Sequence, residues 1–140
     1  MSRFLTTIAL TFTTLIVNAQ SYNGPESVEF DYANNRYLTS NTNSGEVIAR
    51  SSSGTLTVFA SGFTSGPYGL EIAGNVLYAC DGGSLKGYDL STGTQVVNQN
   101  MGGTFFNGIT NNGTDLFITD FSTKKVYRYN IALGTYNVYV

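Results

Sequence analysis

The chain has 140 residues, enough for one modest domain, and a formal net charge of −2 with only 11% charged residues. This weak charge excludes an electrostatic nucleic-acid interface, because Lys124 and Lys125 are the only adjacent cations. There is no histidine and one cysteine, Cys80. Their counts exclude Ser-His-Asp and Cys-His catalysis, a His-ligated metal and an intrachain disulfide.

The first residues have the pattern of a secretory signal. Arg3 gives a positive start, residues 4–17 carry no charge and are mostly apolar, and Ala19 ends a small-residue cleavage pattern. We therefore predict a signal peptide over residues 1–19 and a secreted, periplasmic or cell-surface protein with no membrane span in its mature part. The alternative is that the same apolar run is the first core element of the domain.

Short apolar runs separated by Gly, Asn and Ser follow from residue 24 onwards, which is typical of antiparallel strands joined by tight turns. Turns such as Asn34-Asn35 and Ser53-Gly54 accept positive φ. The predicted strands form three sets of four. They are 27–31, 37–40, 46–51 and 56–60; 69–72, 76–80, 85–89 and 95–98; and 108–110, 116–119, 125–129 and 136–140.

The second strand of each set is nearly all apolar, which predicts cover on both faces. The charged residues of the later strands are expected on the outside of the fold. They are Lys86, Asp89, Lys125 and Arg128.

A repeat of about 40 residues runs through the whole domain. Aligning Val28, Leu70 and Ile109 gives spacings of 42 and 39 residues, as in propeller blades of about four strands each. The predicted fold is all-β, a partial β-propeller over residues 20–140 with blades at about 25–62, 67–101 and 105–140. A β-sandwich or barrel with the same strand count is the alternative.

Propellers close into rings of about four to eight blades, and three blades are present here. We therefore expect the sequence to be the N-terminal half of a longer six-bladed protein whose C-terminal blades are missing. Assembly of two copies into one ring is the alternative.

The starts of the three repeats resemble the six-bladed TolB-like superfamily, which includes the SMP-30/gluconolactonase-like and NHL-repeat proteins. The motifs that carry the resemblance are Gly24-Pro25-Glu26-Ser27-Val28-Glu29-Phe30, Gly66-Pro67-Tyr68-Gly69-Leu70 and Phe106-Asn107-Gly108-Ile109. The gluconolactonase-like members hold a divalent cation, usually Ca²⁺, at one mouth of the channel. The resemblance implies Glu26 and Asn107 as ligands and Tyr68 as a channel-lining residue, with a further Asp-Gly ligand beyond residue 140.

Each of these polar residues also has a structural interpretation. Glu26 could cap the start of a strand, and Asn107 could serve the turn that Asn-Gly favours. Asp81 and Asp120, which end apolar strands at matching places, are interpreted as acceptors for turn amides in preference to carboxylates at the channel mouth. Cys80 is expected to be a buried, unreactive thiol.

Two functions remain open at this point. The resemblance implies a secreted, divalent-metal-dependent lactone hydrolase in the full-length protein, with residues 1–140 alone inactive. The alternative is a non-catalytic extracellular NHL-like propeller that binds protein or carbohydrate, and either function leaves room for a small-molecule ligand.

Overall fold

Twelve β-strands and no helix make up residues 20–140, the part of the chain that the computed structural model describes. The predicted signal peptide lies outside the described residues. The strands of sheet 1 are β1 (Pro25–Asp31), β2 (Arg36–Asn41), β3 (Glu46–Ser51) and β4 (Leu56–Ser61). Those of sheet 2 are β5 (Leu70–Ala73), β6 (Val76–Asp81), β7 (Ser84–Asp89) and β8 (Gln95–Asn100). Those of sheet 3 are β9 (Phe106–Asn111), β10 (Asp115–Asp120), β11 (Lys125–Asn130) and β12 (Thr135–Val138).

Each sheet is an antiparallel meander in which every strand pairs with its neighbours in the sequence. The predicted all-β class with three four-stranded sheets is therefore confirmed. Glycine and asparagine at the turns explain why strands so short can reverse tightly. Asn35, for example, has a φ of 47° between β1 and β2, in the left-handed region that Asn tolerates.

The three sheets are equivalent in register. In each sheet, the residue that was used to align the repeats forms a ladder pair with a residue of the second strand. That partner lies two positions before the polar residue that ends the second strand. The pairs are Val28–Thr39, Leu70–Ala79 and Ile109–Ile118, and the polar ends are Asn41, Asp81 and Asp120. The repeat inferred from sequence spacing is thus a repeat of hydrogen-bonded structure.

Two hydrophobic cores join the sheets. The first lies between sheets 1 and 2 and contains the buried residues Leu38, Val47, Ala49, Ala60, Phe63, Leu70, Leu77, Ala79, Tyr88 and Leu90. The second lies between sheets 2 and 3 and contains Tyr78, Cys80, Leu85, Met101, Phe106, Leu116, Ile118, Tyr127 and Tyr129. Strand β6 contributes alternate residues to both cores, which explains why it is apolar on both faces. Three sheets stacked through two cores exclude a two-layer sandwich for this part of the chain.

Lys86 corrects one prediction. It was expected on the outside, yet only 9% of it is exposed. Its ammonium pairs with Asp81 at 2.7 Å, donates to the carbonyl of Gly62 at 2.9 Å and lies 5.0 Å from the centre of the Phe63 ring. Lysine can bury its aliphatic stem when its charge is neutralised in this way. Lys125 and Arg128, in contrast, are exposed as predicted.

No described residue belongs to a helix that could span a lipid bilayer.

Candidate functional site

The candidate site lies at one edge of the sheets, which we call the top edge. Pairing of Pro25 with Asn41, and of Asn41 with Glu46, places the start of β1, the end of β2 and the start of β3 together there. The corresponding edges of sheets 2 and 3 meet where Phe106 donates its N–H to the carbonyl of Gly82 at 2.7 Å. The residues that begin the innermost strands therefore approach one another across sheets.

Glu26, Tyr68 and Asn107 occupy the same position in the three repeats, each two residues before its alignment residue. The structure brings the two predicted metal ligands together. The Asn107 side-chain amide lies close enough to the Glu26 carboxylate to act on its pKa, although the two residues lie in different sheets. This proximity indicates that the starts of β1 and β9 converge, as strand starts do around a propeller axis.

The electrostatics of Glu26 combine two opposing effects. Partial burial disfavours the carboxylate and is the larger effect, so the pKa of Glu26 is raised from 4.5, while the nearby Asn107 amide acts to lower it. The Glu26 side chain remains exposed to solvent. A cation placed here would favour the carboxylate and offset the cost of its burial.

Tyr68 holds in the second repeat the position that Glu26 holds in the first and Asn107 in the third. Its backbone N–H donates to the carbonyl of Cys80 at 3.0 Å, and its half-buried ring meets Phe105 edge-on at 4.7 Å between centroids. These contacts fix the ring at the top edge. They are compatible with the predicted channel-lining role of Tyr68, which stays a prediction.

Asp81 and Asp120 anchor the segments that lead into their sheets. Asp81 accepts from the N–H groups of Thr64 and Ser65, the second at 2.7 Å. Asp120 accepts from the N–H of Thr104 at 2.8 Å and from its own turn. Both carboxylates are buried, yet these bonds hold their pKa values below 3.8, and Lys86 contributes for Asp81. The structural interpretation of the two aspartates is confirmed.

Asn41 differs from its two aspartate counterparts. Its amide Nδ2 donates to the carbonyl of Ser21 at 3.1 Å, while its Oδ1 is buried without a hydrogen-bond partner. An amide in this place accepts fewer bonds than a carboxylate.

The sequence did not indicate a role for the hydroxyl groups of Ser40 and Thr119, which lie beside the site. The β1–β2 ladder is irregular near Ser27, whose N–H donates to the Ser40 hydroxyl at 2.8 Å. The Gly108 N–H makes the same bond to the Thr119 hydroxyl at 3.0 Å. In sheet 2 the equivalent position holds Cys80, which is fully buried, and burial strongly raises the pKa of its thiol. The prediction of an unreactive thiol agrees with this environment.

A pair of glutamates, Glu29 and Glu71, lies further along the innermost strands. Glu71 accepts from the backbone N–H of Asn111 at 3.1 Å and from the Asn111 side chain. The pKa of Glu29 is raised, mainly by burial and also by the negative charge of Glu71. The signal for this pair is a glutamate directly after the alignment residue in two of the three repeats.

A cleft of about 360 Å³ opens at the top edge between sheets 1 and 2. No lining residue is charged; they are Thr42, Asn43, Ser44, Gly45, Phe63, Thr64, Ser65, Gly66 and Tyr68. The turn at Gly45 is bound to the facing segment through the N–H of Phe63. The cleft therefore combines neutral hydroxyl and amide groups with aromatic rings.

Comparison with solved structures identifies the architecture. The chain is similar to a chain of the nidogen/laminin complex, with a TM-score of 0.68 and 16% identity over 81% of this chain and 46% of that one. It is equally similar, at 0.68 and 16%, to the Cps50 (Swd1) beta-propeller domain of Myceliophteria thermophila, over 89% of this chain and 41% of that domain. Both neighbours are β-propellers. The three sheets are propeller blades.

The similarity shows the fold alone, and the chain spans less than half the length of each propeller that it matches. No protein family and no curated protein matches the sequence. Sheets 1, 2 and 3 are called blades 1, 2 and 3 from here on, and the convergence of Glu26 and Asn107 lies at the inner strands of blades 1 and 3.

Proposed function

We propose that the top edge of this propeller binds a divalent cation, Ca²⁺, through a carboxylate oxygen of Glu26 and the Oδ1 of Asn107. One observation carries the proposal, namely the proximity of these two side chains, which stand at the same position of their repeats at the converging strand starts. Carboxylate and amide oxygens are the donors that Ca²⁺ prefers. Glu26 is exposed and can be reached from solvent.

The two residues fit a calcium site in type but supply only part of it. Ca²⁺ takes six to eight oxygen ligands, and within residues 20–140 no group of three or more His, Cys, Asp or Glu side chains is placed to hold a metal. The remaining oxygens would come from water, substrate or further blades. Binding to one carboxylate should therefore be weak, at about 10⁻⁴–10⁻³ M.

We further propose that the complete protein is a secreted lactone hydrolase of the SMP-30/gluconolactonase-like kind. The chemistry that a bound cation would supply is polarisation of the lactone carbonyl. In this chain Glu26 and Asn107 would hold it, and Tyr68 would form the channel wall beside it. The carboxylate must be ionised to act as a ligand, so cation binding should weaken as the pH falls through the Glu26 pKa, which lies above 4.5.

Calcium titration followed by calorimetry tests this site. We expect measurable binding, weakened at least about tenfold by Glu26→Gln and by Asn107→Ala, each of which removes one oxygen ligand. The matched control is Glu29→Gln, which removes a carboxylate from the same strand but away from Glu26 and Asn107, and it should leave the affinity unchanged. Binding that ignores both site variants would remove the proposal.

The second candidate is a non-catalytic extracellular NHL-like propeller that binds protein or carbohydrate. The uncharged cleft between blades 1 and 2 favours it, because hydroxyl, amide and aromatic groups suit a neutral polyhydroxylated ligand. Absence of calcium binding together with binding of a neutral oligosaccharide that Thr42→Ala and Tyr68→Ala abolish would favour this candidate over the first.

A further inference from the structure

The innermost strand of blade 1 begins with a β-bulge. The register of the β1–β2 ladder shifts there, so that Glu26 and Ser27 together lie opposite the single residue Ser40. The Ser40 hydroxyl accepts the N–H of Ser27 at 2.8 Å and donates to the carbonyl of Ser27 at 3.4 Å. One side chain thus holds both backbone groups of the residue that follows Glu26.

Blade 3 repeats this arrangement with different residues. Asn107 and Gly108 lie opposite Thr119, at the corresponding register shift between β9 and β10. The Thr119 hydroxyl accepts the N–H of Gly108 at 3.0 Å and donates to the carbonyl of Gly108 at 3.3 Å. We call each such hydroxyl, with the two backbone groups that it holds, a hydroxyl clamp. A hydroxyl clamp therefore follows both predicted metal ligands of the candidate site.

Blade 2 carries a different residue at the clamp position. Cys80 lies there, and its backbone is bonded to Tyr68 at 3.0 Å and to Gly69 at 3.0 Å. A thiol is a weaker hydrogen-bond acceptor than a hydroxyl. The strand start of this blade presents the Tyr68 phenol, which is not one of the usual Ca²⁺ ligands. The clamp hydroxyl thus occurs in the two blades whose strand starts present a carboxylate or an amide oxygen.

Blade 2 connects the two hydroxyl clamps through its own innermost strand. The Ser27 hydroxyl accepts the N–H of Leu70 at 3.2 Å. The preceding residue, Gly69, lies so close to the carbonyl of Asn107 that a Cβ at this position would overlap it. The position of Ser27, and with it that of Glu26, is thereby fixed relative to the backbone of Asn107.

We propose that Ser40 and Thr119 are positioning residues, each of which orients the predicted ligand on the bulge that it clamps. Ser40 acts in this way on Glu26, and Thr119 acts on Asn107. Bulges redirect side chains and are common beside active sites. A return to regular pairing would shift the register by one residue and turn the side chain to the other face of the sheet. The inference rests on the proposed function, because it is cation binding that requires the two side chains to face each other.

The pH titration of the Asn107 side-chain amide, followed by nuclear magnetic resonance, reports this orientation without any cation. In the unchanged protein we expect its signals to follow the ionisation of Glu26. Thr119→Val removes the hydroxyl but keeps the shape of the side chain, and it should abolish most of this response. Thr119→Ser keeps the hydroxyl and should preserve the response. The matched control is Thr110→Val, the same substitution on β9 outside the bulge, which should also preserve it.

Ser40→Cys tests the clamp of blade 1 independently, because it introduces the residue that blade 2 already carries at this position. It should also abolish most of the response of the Asn107 amide to pH. Calcium titration followed by calorimetry then measures the effect on binding. We expect Ser40→Cys and Thr119→Val each to lower the affinity about tenfold, as loss of a hydrogen bond that orients a metal ligand typically does. Thr119→Ser should bind as the unchanged protein does.

A purely structural role for the two hydroxyls predicts a different result. Ser40→Cys and Thr119→Val would then lower the free energy of unfolding but leave the Asn107 titration and the calcium affinity unchanged, and this outcome overturns the inference while keeping the proposed function. Asn107 signals that ignore pH in the unchanged protein overturn it as well. A response that needs both hydroxyls, in a protein that binds no calcium, keeps the positioning role and rejects the proposed function instead.

Discussion

Gly69→Ala should destabilise the protein by about 3 kcal/mol, because its new methyl group would overlap the backbone carbonyl of Asn107. Gly69 is buried where blade 2 passes the start of β9. A backbone atom cannot rotate aside, so the two inner strands would have to move apart. The free energy of unfolding in urea, compared with the unchanged protein, measures this loss.

Gly108→Ala provides the matched control at the same position of blade 3. There the added carbon meets only the Thr119 hydroxyl, at 3.0 Å, and that side chain can turn. Blade 1 carries Ser27 at this position, and its hydroxyl accepts the N–H of Leu70 at 3.2 Å. We expect a loss below about 1 kcal/mol for Gly108→Ala. Equal losses for both glycines would contradict the close approach of blades 2 and 3.

Asp81→Asn should cost about 3 kcal/mol of stability, because it leaves the ammonium of Lys86 buried without its counter-ion. The amide can still accept hydrogen bonds from Thr64 and Ser65, so the loss measures mainly the charge. Unfolding in urea at neutral pH, where the unchanged Asp81 is ionised, gives the difference in free energy.

A double-mutant cycle with Lys86→Met separates the ion pair from other effects. The double variant Asp81→Asn with Lys86→Met should recover much of the loss, because no unpaired charge remains buried. Asp115→Asn serves as the comparison, since its partner Arg128 is 44% exposed and water can solvate the freed guanidinium. Additive losses at Asp81 and Lys86, or an equal loss at Asp115, would show that burial of the pair has little energetic effect.

The strands were predictable from sequence because each repeats a short-range pattern. Apolar runs bounded by Gly and Asn predict strand and turn without long-range information, and the 42- and 39-residue spacings predict equivalence. The pairing register between the first and second strand of each blade confirms that Val28, Leu70 and Ile109 are equivalent. The aspartates that end β6 and β10 were interpreted correctly, since Asp after an apolar strand commonly accepts local amide bonds.

Residues whose role depends on contacts made only in the folded chain were not predictable in the same way. Lys86 looks like a surface residue until Asp81 and the Phe63 ring are placed around it. The Ser40 and Thr119 hydroxyls show their role only once the irregular ladder positions are known. Glu26 and Asn107 were identified by resemblance, since no local pattern joins residues so far apart in the chain.

The most direct test of the account is the pH titration of the Asn107 side-chain amide, followed by nuclear magnetic resonance from about pH 3 to pH 8. Convergence of the inner strands predicts that the Asn107 NH₂ signals shift with the ionisation of Glu26, with a midpoint above 4.5, and that Glu26→Gln abolishes the shift. Asn107 signals that do not respond to pH, or that respond equally in Glu26→Gln, would contradict a shared axis for blades 1 and 3.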